Sequence, residues 1–343
     1  MFKPRLLLFS AVFAFACSQS PAAWAGCKIV SHIKVGGEGG WDYLTADAKA
    51  RRLYVSHGNE VVVINLDTEA VVARIDGMKG VHGIALAPEL NRGFISNGQE
   101  GTVAVFALDT SKEIGSRIKT GQNPDAILYE PSTKRVFTFN GKSMDISVID
   151  AAKGEVVGTI PVGGKPEFAV TDGHGTVWVN IEDKSEVVQF DAKTMLVKNH
   201  WPVAPGEEPS ALAMDQANHR LFIGCGGNEK MVIMDAQTGK VVTSEPTGKG
   251  VDAAVYDAGT KRAFSSQGDG TMTVVHQDSP DKYTVEETVK TGPRARTMTI
   301  DSKTHKLYLP TAEFDPAPAA TPDNPHPRPK MKPGTFQILV ISQ

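Results

Sequence analysis

The chain repeats one short segment seven times, at intervals of about 42 residues, and this repeat limits the fold more than any other feature. Each copy is an apolar run rich in β-branched residues with an aromatic residue two places after its start, which suits a strand better than a helix. The copies begin at Arg52, Arg92, Arg135, Thr176, Arg220, Arg262 and Lys306. Further strand-like segments flank each copy, and four strands in about 40 residues are typical of one propeller blade. The sequence therefore predicts an all-β, seven-bladed β-propeller with four-stranded antiparallel blades.

The two ends of the chain are predicted to meet in the last blade. Residues 28–37 match residues 155–164, which form an outer strand followed by the crossover to the next blade. The last strand-like segment, residues 336–341, is only the third strand of the seventh blade. We therefore expect the amino-terminal strand to complete that blade and close the ring, so that no long edge stays unpaired. Residues 26–343 would form a single domain.

Residues 1–25 have the pattern of a secretory signal. Lys3 and Arg5 precede an apolar run, and Ala23-Trp24-Ala25 offers a small-x-small cleavage site. The apolar run is too short for a membrane span. We expect a periplasmic or secreted protein with no transmembrane segment after cleavage, and we expect a monomer. Because residues 24–27 partly resemble a lipoprotein processing site, anchoring at Cys27 is the lesser alternative.

Two features resemble a known family. The core Tyr54-Val55-Ser56 and the Gly-x-x-Pro lead-ins at residues 121–124 and 163–166 resemble the YVTN-repeat β-propeller family of bacterial extracytoplasmic proteins. The resemblance covers all of residues 26–343 and implies a propeller outside the cytoplasm. It leaves function open, because propellers of this kind serve as binding modules, scaffolds and enzymes.

Two sets of residues are predicted to meet at one mouth of the central channel. If the strands alternate in direction, the start of each innermost strand and the loop between the second and third strands open on the same face. The first set is Asp42, His82, Asp125, Glu167, Ser210, Asp252 and Arg296. The second set, from the loops, is His57, Asn97, Asn140, Asn180, Cys225 and Gln267. We predict that they form a ligand site; the alternative is the ordinary polar lining of a wet channel.

The ligand class follows from the donor atoms. Rings rich in oxygen atoms favour Ca²⁺ or Mg²⁺ over a transition metal, although His57, His82 and Cys225 together would suit a softer ion. The leading hypothesis is a non-catalytic module that binds a small molecule, a metal ion or a protein partner. The alternative, suggested by related seven-bladed propellers, is a lactonase-type hydrolase in which the carboxylates, His82 and Arg296 act on a sugar-acid lactone. No nucleophile elbow, His-Glu-x-x-His motif or phosphate loop is present.

The loop at residues 311–335 of the last blade is unusually long and contains seven prolines. Because proline has no amide proton and a fixed φ, we expect this segment to be extended and unpaired, and long enough to cross the channel mouth. It is either a lid or partner-docking arm, or an inert insertion.

Nucleic-acid binding is a second alternative, because some members of the resembling family are reported to bind DNA. A ring of basic residues precedes the repeated strands, but acidic residues end the strands before them, so we expect acid and base to pair across each hairpin turn. The formal net charge is −3. Both observations argue against a phosphate-binding surface.

Overall fold

The computed structural model describes residues 24–319 and 327–343. Within these ranges the chain forms seven antiparallel sheets, each with the strand order of a propeller blade. The regular structure described is β-strand, apart from two short 3₁₀ turns at Pro88–Leu90 and Glu182–Lys184. The protein is a seven-bladed β-propeller, as the repeat predicted.

The first six blades follow one another along the chain, and each begins with its innermost strand. Their strands are Trp41–Asp47, Arg52–His57, Glu60–Asn65 and Val71–Ile75; Val81–Ala87, Arg92–Asn97, Thr102–Ala107 and an outer strand split into Lys112–Glu113 and Ile118–Lys119; Pro124–Glu130, Arg135–Asn140, Asp145–Asp150 and Glu155–Pro161; Pro166–Thr171, Thr176–Ile181, Glu186–Asp191 and Leu196–Pro202; Pro209–Asp215, Arg220–Cys225, Lys230–Asp235 and Val241–Pro246; and Val251–Asp257, Arg262–Gln267, Thr271–Ser279 and Lys282–Lys290.

The seventh blade joins the two ends of the described chain. It consists of Thr299–Asp301, Lys306–Thr311, Gln337–Ser342 and Lys28–Lys34. The amino-terminal strand is antiparallel to its partner, with Lys28 opposite Ser342 and Lys34 opposite Gln337. The predicted ring closure is confirmed.

The aromatic residue of each repeat packs between blades. Tyr54 and Phe137 are fully buried. The ring of Tyr54 lies 5.5 Å from that of Phe106 in the next blade, and Phe137 lies 5.3 Å from Phe190 in the same way. Burying a large aromatic side chain at each junction supplies much of the apolar area that holds neighbouring sheets together.

The basic residues that begin the repeats also connect blades, which corrects the predicted pairing across hairpin turns. Arg92 donates a hydrogen bond to the carbonyl of Ala151 at 2.9 Å, and Arg135 donates to the carbonyl of Ala192 at 2.6 Å, each in the following blade. The acidic residue Asp47 instead accepts the amides of its own turn. A short carboxylate satisfies nearby turn amides, whereas a long guanidinium can reach the next sheet.

The structure bears on the amino-terminal predictions only in part. The predicted signal peptide lies almost entirely outside the described residues. Cys27 and Cys225 are both buried free thiols, and burial raises the pKa of each to about 12. Within the described ranges no helix is long and apolar enough to cross a membrane.

Candidate functional site

The crossovers and the loops between second and third strands meet on one face, as predicted. The amide of Gly58 in such a loop donates to the carbonyl of Gly40 in the crossover at 2.7 Å. Gly98 and Gly80 repeat this contact in the second blade at 2.8 Å. We call this side of the disc, where the innermost strands begin, the mouth face.

The innermost strands of the first six blades are irregular at the residue that the sequence predicts to face the channel, whereas Thr299–Asp301 of the seventh pairs without a shift. Pairing with the second strand shifts register between Trp41 and Leu44, and again between Val81 and Ile84 and between Pro124 and Ile127. A bulge of this kind changes the direction in which a side chain points. Asp42, His82 and Asp125 each lie within such a shift.

The structure brings these three residues together as a compact group, here called the Asp–His–Asp cluster. The Nδ1 atom of His82 lies 2.6 Å from Oδ2 of Asp42 and 3.6 Å from Oδ1 of Asp125. One donor atom from each residue lies within 4.8 Å of the other two. Three strands from three consecutive blades thus point two carboxylates and an imidazole at the same small volume.

The imidazole of His82 packs against Gly98, which leaves room for it because it has no side chain. A Cβ atom at this glycine would lie 2.5 Å from Nε2 of His82 and 3.1 Å from Oδ1 of Asn123. Burial alone would lower the pKa of His82, but the hydrogen bond to Asp42 and the charges of Asp125, Asp42 and Glu167 raise it to about 9. The Nδ1 atom of this ring faces the two carboxylates.

The other charged residues of the first set form two ion pairs around the same opening. Glu167 lies 2.7 Å from Nζ of Lys165, and Arg296 lies 3.1 Å from Asp252. Burial is the main cause that raises the pKa of Glu167 to about 8 and that of Asp252 to about 7. The pKa of Asp125 rises to about 6 through burial and the charge of Asp42. The mouth is therefore a partly dehydrated ring of interacting charges.

Two aromatic residues lie across the channel from each other, next to the ring. The rings of Tyr43 in the first blade and Phe168 in the fourth are 5.4 Å apart. Burial, followed by the charges of the nearby carboxylates, raises the pKa of Tyr43 well above its usual value. A void of only about 50 Å³ lies beside these rings. The two rings therefore narrow the central channel next to the mouth.

The loop residues of the second set do not line the mouth, which corrects their predicted placement. All six are buried in the walls of the blades: His57, Asn97, Asn140, Asn180, Cys225 and Gln267. His57 stacks on Phe336 at 4.1 Å, and Asn180 donates to the carbonyl of Ala211 at 2.9 Å. Five of them end the second strand of their blade and Asn180 is the next-to-last residue of its strand, so these side chains pack within the blade walls.

Ser210 also differs from the rest of the first set. Its side chain is buried, and its hydroxyl donates to the carbonyl of Val251 in the next blade at 2.8 Å. The hydroxyl therefore connects the innermost strands of two neighbouring blades. The described first set thus divides into a cluster of three, two ion pairs and one structural serine.

The proline-rich loop is folded at its base, which the sequence did not predict. The amide of Asp315 donates to the carbonyl of Lys330 at 2.9 Å, and that of Lys332 donates to Glu313 at 2.8 Å. These donors are not prolines, so a short antiparallel ladder can form between the proline positions. Residues 320–326, which include two of the prolines, lie outside the described part.

This ladder forms one wall of a cavity of about 390 Å³ on the mouth face. Trp41, Arg294, Arg296, Phe314 and Lys330 line it. Only Arg296 was predicted from the sequence. Arg294 could have been found, because it comes two residues before a ring position as Lys165 does, but no pattern places Phe314 beside Trp41.

Comparison with known proteins identifies the class of fold and no family. No family model and no curated protein matches the chain. Among solved structures, a chain of Kuenenia stuttgartiensis hydrazine synthase is 16% identical, with a TM-score of 0.69, 82% of this chain covered and 94% of that chain. A chain of a mitotic checkpoint complex structure is 13% identical, with a TM-score of 0.75, 100% of this chain covered and 99% of that chain. At these identities the similarity shows the propeller fold alone.

Proposed function

We propose that this protein is a non-catalytic binding module whose ligand site is the mouth face, and that the Asp–His–Asp cluster there holds a divalent metal ion. The observation that carries the proposal is the convergence of three donor atoms within 4.8 Å. The resemblance to YVTN-repeat propellers supports a binding module of this kind, as does the β-propeller fold itself.

The geometry supports metal coordination because the ligand residues are already close and fixed. Asp42, His82 and Asp125 come from three separate strands, so their spacing does not depend on a flexible loop. Each side chain is between 17% and 27% exposed, which leaves access from the mouth. Carboxylate and imidazole are both common ligands of divalent ions, and an ion bound here would displace the proton that a pKa of about 9 keeps on His82.

The donor set favours a first-row ion such as Mn²⁺ or Zn²⁺ over Ca²⁺ or Mg²⁺. The sequence alone favours the hard ions because it predicts amide oxygens in the ring. Asn97, Asn140 and Asn180 lie in the blade walls, where their amides bond to Thr102, Asp145 and Ser147, and Ala211, and none of them belongs to the cluster. What remains is two carboxylates and one imidazole nitrogen, and imidazole suits transition ions and zinc.

The test is calorimetric titration of residues 26–343, after treatment with EDTA, with Mn²⁺, Zn²⁺, Ca²⁺ and Mg²⁺ separately. We expect one site per chain, with Mn²⁺ or Zn²⁺ binding more tightly than Ca²⁺ or Mg²⁺. The Asp125→Asn variant should weaken that binding at least about tenfold, because it removes one charged ligand. A metal that binds only the folded state should also raise the midpoint of thermal unfolding.

Glu182→Gln is the matched control. Glu182 is a carboxylate of the mouth face that contacts Lys165 and does not belong to the cluster. If Glu182→Gln and Asp125→Asn weaken binding equally, the ion is held by the general charge of the face and the proposed site is wrong. Absence of any stoichiometric binding would reject the metal proposal directly.

Two other functions stay predictions. A lactonase-type hydrolase would turn over a sugar-acid lactone and would lose that turnover in His82→Ala.

The other predicted function is binding of a protein partner, since one similar propeller comes from a structure titled as a complex. A partner that docks on the mouth face should be released by substitutions in the ring and unaffected by substitutions on the opposite face.

We propose a location outside the cytoplasm on the strength of residues 1–25 and of the family resemblance. Fractionation of cells that express the full chain, compared with cells that express residues 26–343 after a start codon, tests this. Recovery of both forms in the cytoplasmic fraction would contradict it.

A further inference from the structure

The cavity beside the proline-rich loop has a chemistry unlike that of the Asp–His–Asp cluster. Its apolar wall is formed by Trp41 and Phe314, whose rings are 6.2 Å apart, together with Met331 and Pro333. Its polar groups are mostly cationic: Arg294, Arg296 and Lys330, against one carboxylate, Glu38. The volume of about 390 Å³ lies within the range of small-molecule sites, which is about 300–1,000 Å³.

Arg294 is the central group of this cavity. Among residues 24–319 and 327–343 its guanidinium forms no ion pair, whereas Arg296 is paired with Asp252. Its Cζ atom lies 5.6 Å from the centre of the Phe314 ring. Burial and the charges of Arg296 and Arg328 lower the pKa of Arg294. The guanidinium is thus held between an aromatic ring and other cations, with its donors available to a ligand.

We propose that this cavity binds a small organic anion, with an aromatic body against the wall formed by Trp41 and Phe314 and a carboxylate on Arg294. A guanidinium presents a planar pair of N–H donors that matches a carboxylate, and it does so more strongly where water is partly excluded. Lys330, which is exposed on the rim, adds a second positive charge near the entrance. Glu38, which also lines the cavity, disfavours ligands with a second negative charge.

The site goes beyond the metal proposal because different residues form it. Arg296 lines the cavity and pairs with Asp252, and it acts on Asp42 and Asp125 of the cluster only through its charge. The two proposals can therefore fail separately. The anion experiment is done in EDTA, so its outcome does not depend on whether the Asp–His–Asp cluster holds a metal ion.

The probe is 2-naphthoate, and the matched neutral compound is 2-naphthamide, which has the same aromatic body without the charge. Calorimetric titration of residues 26–343 should show naphthoate binding at least about tenfold more tightly than the amide, since a hydrogen bond to a charged group changes affinity by about this factor or more. Arg294→Gln should remove the preference for naphthoate while leaving weak binding of both compounds. Phe314→Ala should weaken both compounds together.

Lys249→Gln is the control, because Lys249 is a largely exposed cation that does not line the cavity. Circular dichroism and the thermal midpoint show that each variant is folded before it is titrated. The proposal is overturned if the parent protein binds acid and amide equally, if Arg294→Gln keeps the preference, or if Lys249→Gln loses it. Competition by inorganic phosphate as effective as by naphthoate would also overturn it, because the aromatic wall would then contribute nothing.

Discussion

Arg135→Ala should destabilise the junction between the third and fourth blades. The Nη1 atom of Arg135 donates to the carbonyl of Ala192 at 2.6 Å and to that of Lys193 at 2.8 Å. Ala192 is fully buried, so truncation leaves its carbonyl without this partner. Lys193 is exposed, and water can replace the second bond. The loss in the free energy of unfolding therefore comes mainly from one buried hydrogen bond to a charged group.

A hydrogen bond to a charged group contributes about 1.5–3 kcal/mol, so we expect a loss of about 3 kcal/mol in the free energy of unfolding. Unfolding entropy of about 2.1 cal/mol/K per residue corresponds to about 0.6–0.7 kcal/mol/K for this chain. The midpoint of thermal unfolding should then fall by about 4–5 °C. Amide hydrogen exchange should speed up most in the turn that contains Lys193 and Thr194.

The assay is thermal and urea unfolding of residues 26–343 followed by circular dichroism. Arg135→Lys should recover part of the loss, because an ammonium can reach a carbonyl but lacks the planar pair of donors. Lys153→Ala, an exposed substitution in the same blade, should change the midpoint little. A loss below about 1 kcal/mol in Arg135→Ala would refute the idea that these arginines hold blades together.

Two further predictions concern the channel and the rim. Tyr43→Ala should lower the free energy of unfolding by about 2–4 kcal/mol, because it empties the space beside Phe168. Tyr43→Phe keeps the ring and should lower it by less than about 1 kcal/mol. Equal losses for the two variants in urea unfolding would show that the hydroxyl matters more than the ring. Asp301 should make stability fall in acid: burial alone would raise its pKa, but hydrogen bonds from Thr304 and Arg51 hold it below the usual value. Its contribution is therefore complete above about pH 4 and disappears as the pH falls below that value. Asp301→Asn should lower the free energy of unfolding at pH 7 by about 1–3 kcal/mol. Between pH 7 and pH 3 this variant should lose less stability than the parent protein. Identical dependence of unfolding free energy on pH in the two proteins would contradict this.

The fold could be predicted because it depends on a pattern that recurs. The aromatic residue at Tyr54 and Phe137 marks each buried second strand, and the match between residues 28–37 and 155–164 indicates how the ring closes. The ring residues Asp42, His82 and Asp125 could also be found, since each occupies the same place in its blade. Because every blade has the same fold, residues at equivalent positions in the repeat lie at equivalent places around the ring.

The rest of the site depends on contacts that do not repeat. Asn97 and Asn140 are polar residues at loop boundaries, and nothing in the sequence distinguishes burial against a neighbouring sheet from exposure at the mouth. The pairing of Asp315 with Lys330 requires two short stretches without proline to face each other across a long loop. Arg294 and Phe314 meet only because that loop folds back on the first blade.

The way the ring closes also decides how the protein responds to tension on its ends. Lys28 lies opposite Ser342, so the two ends leave the last blade at the same edge and in the same place. A force that separates them loads one backbone pair at a time, starting at Lys28 and Ser342 and moving towards Lys34 and Gln337. The pairing between Lys28–Lys34 and Gln337–Ser342 should therefore separate at low force, and the last blade should open before the other six are strained. An attachment at one end alone would put no force on this pair of strands.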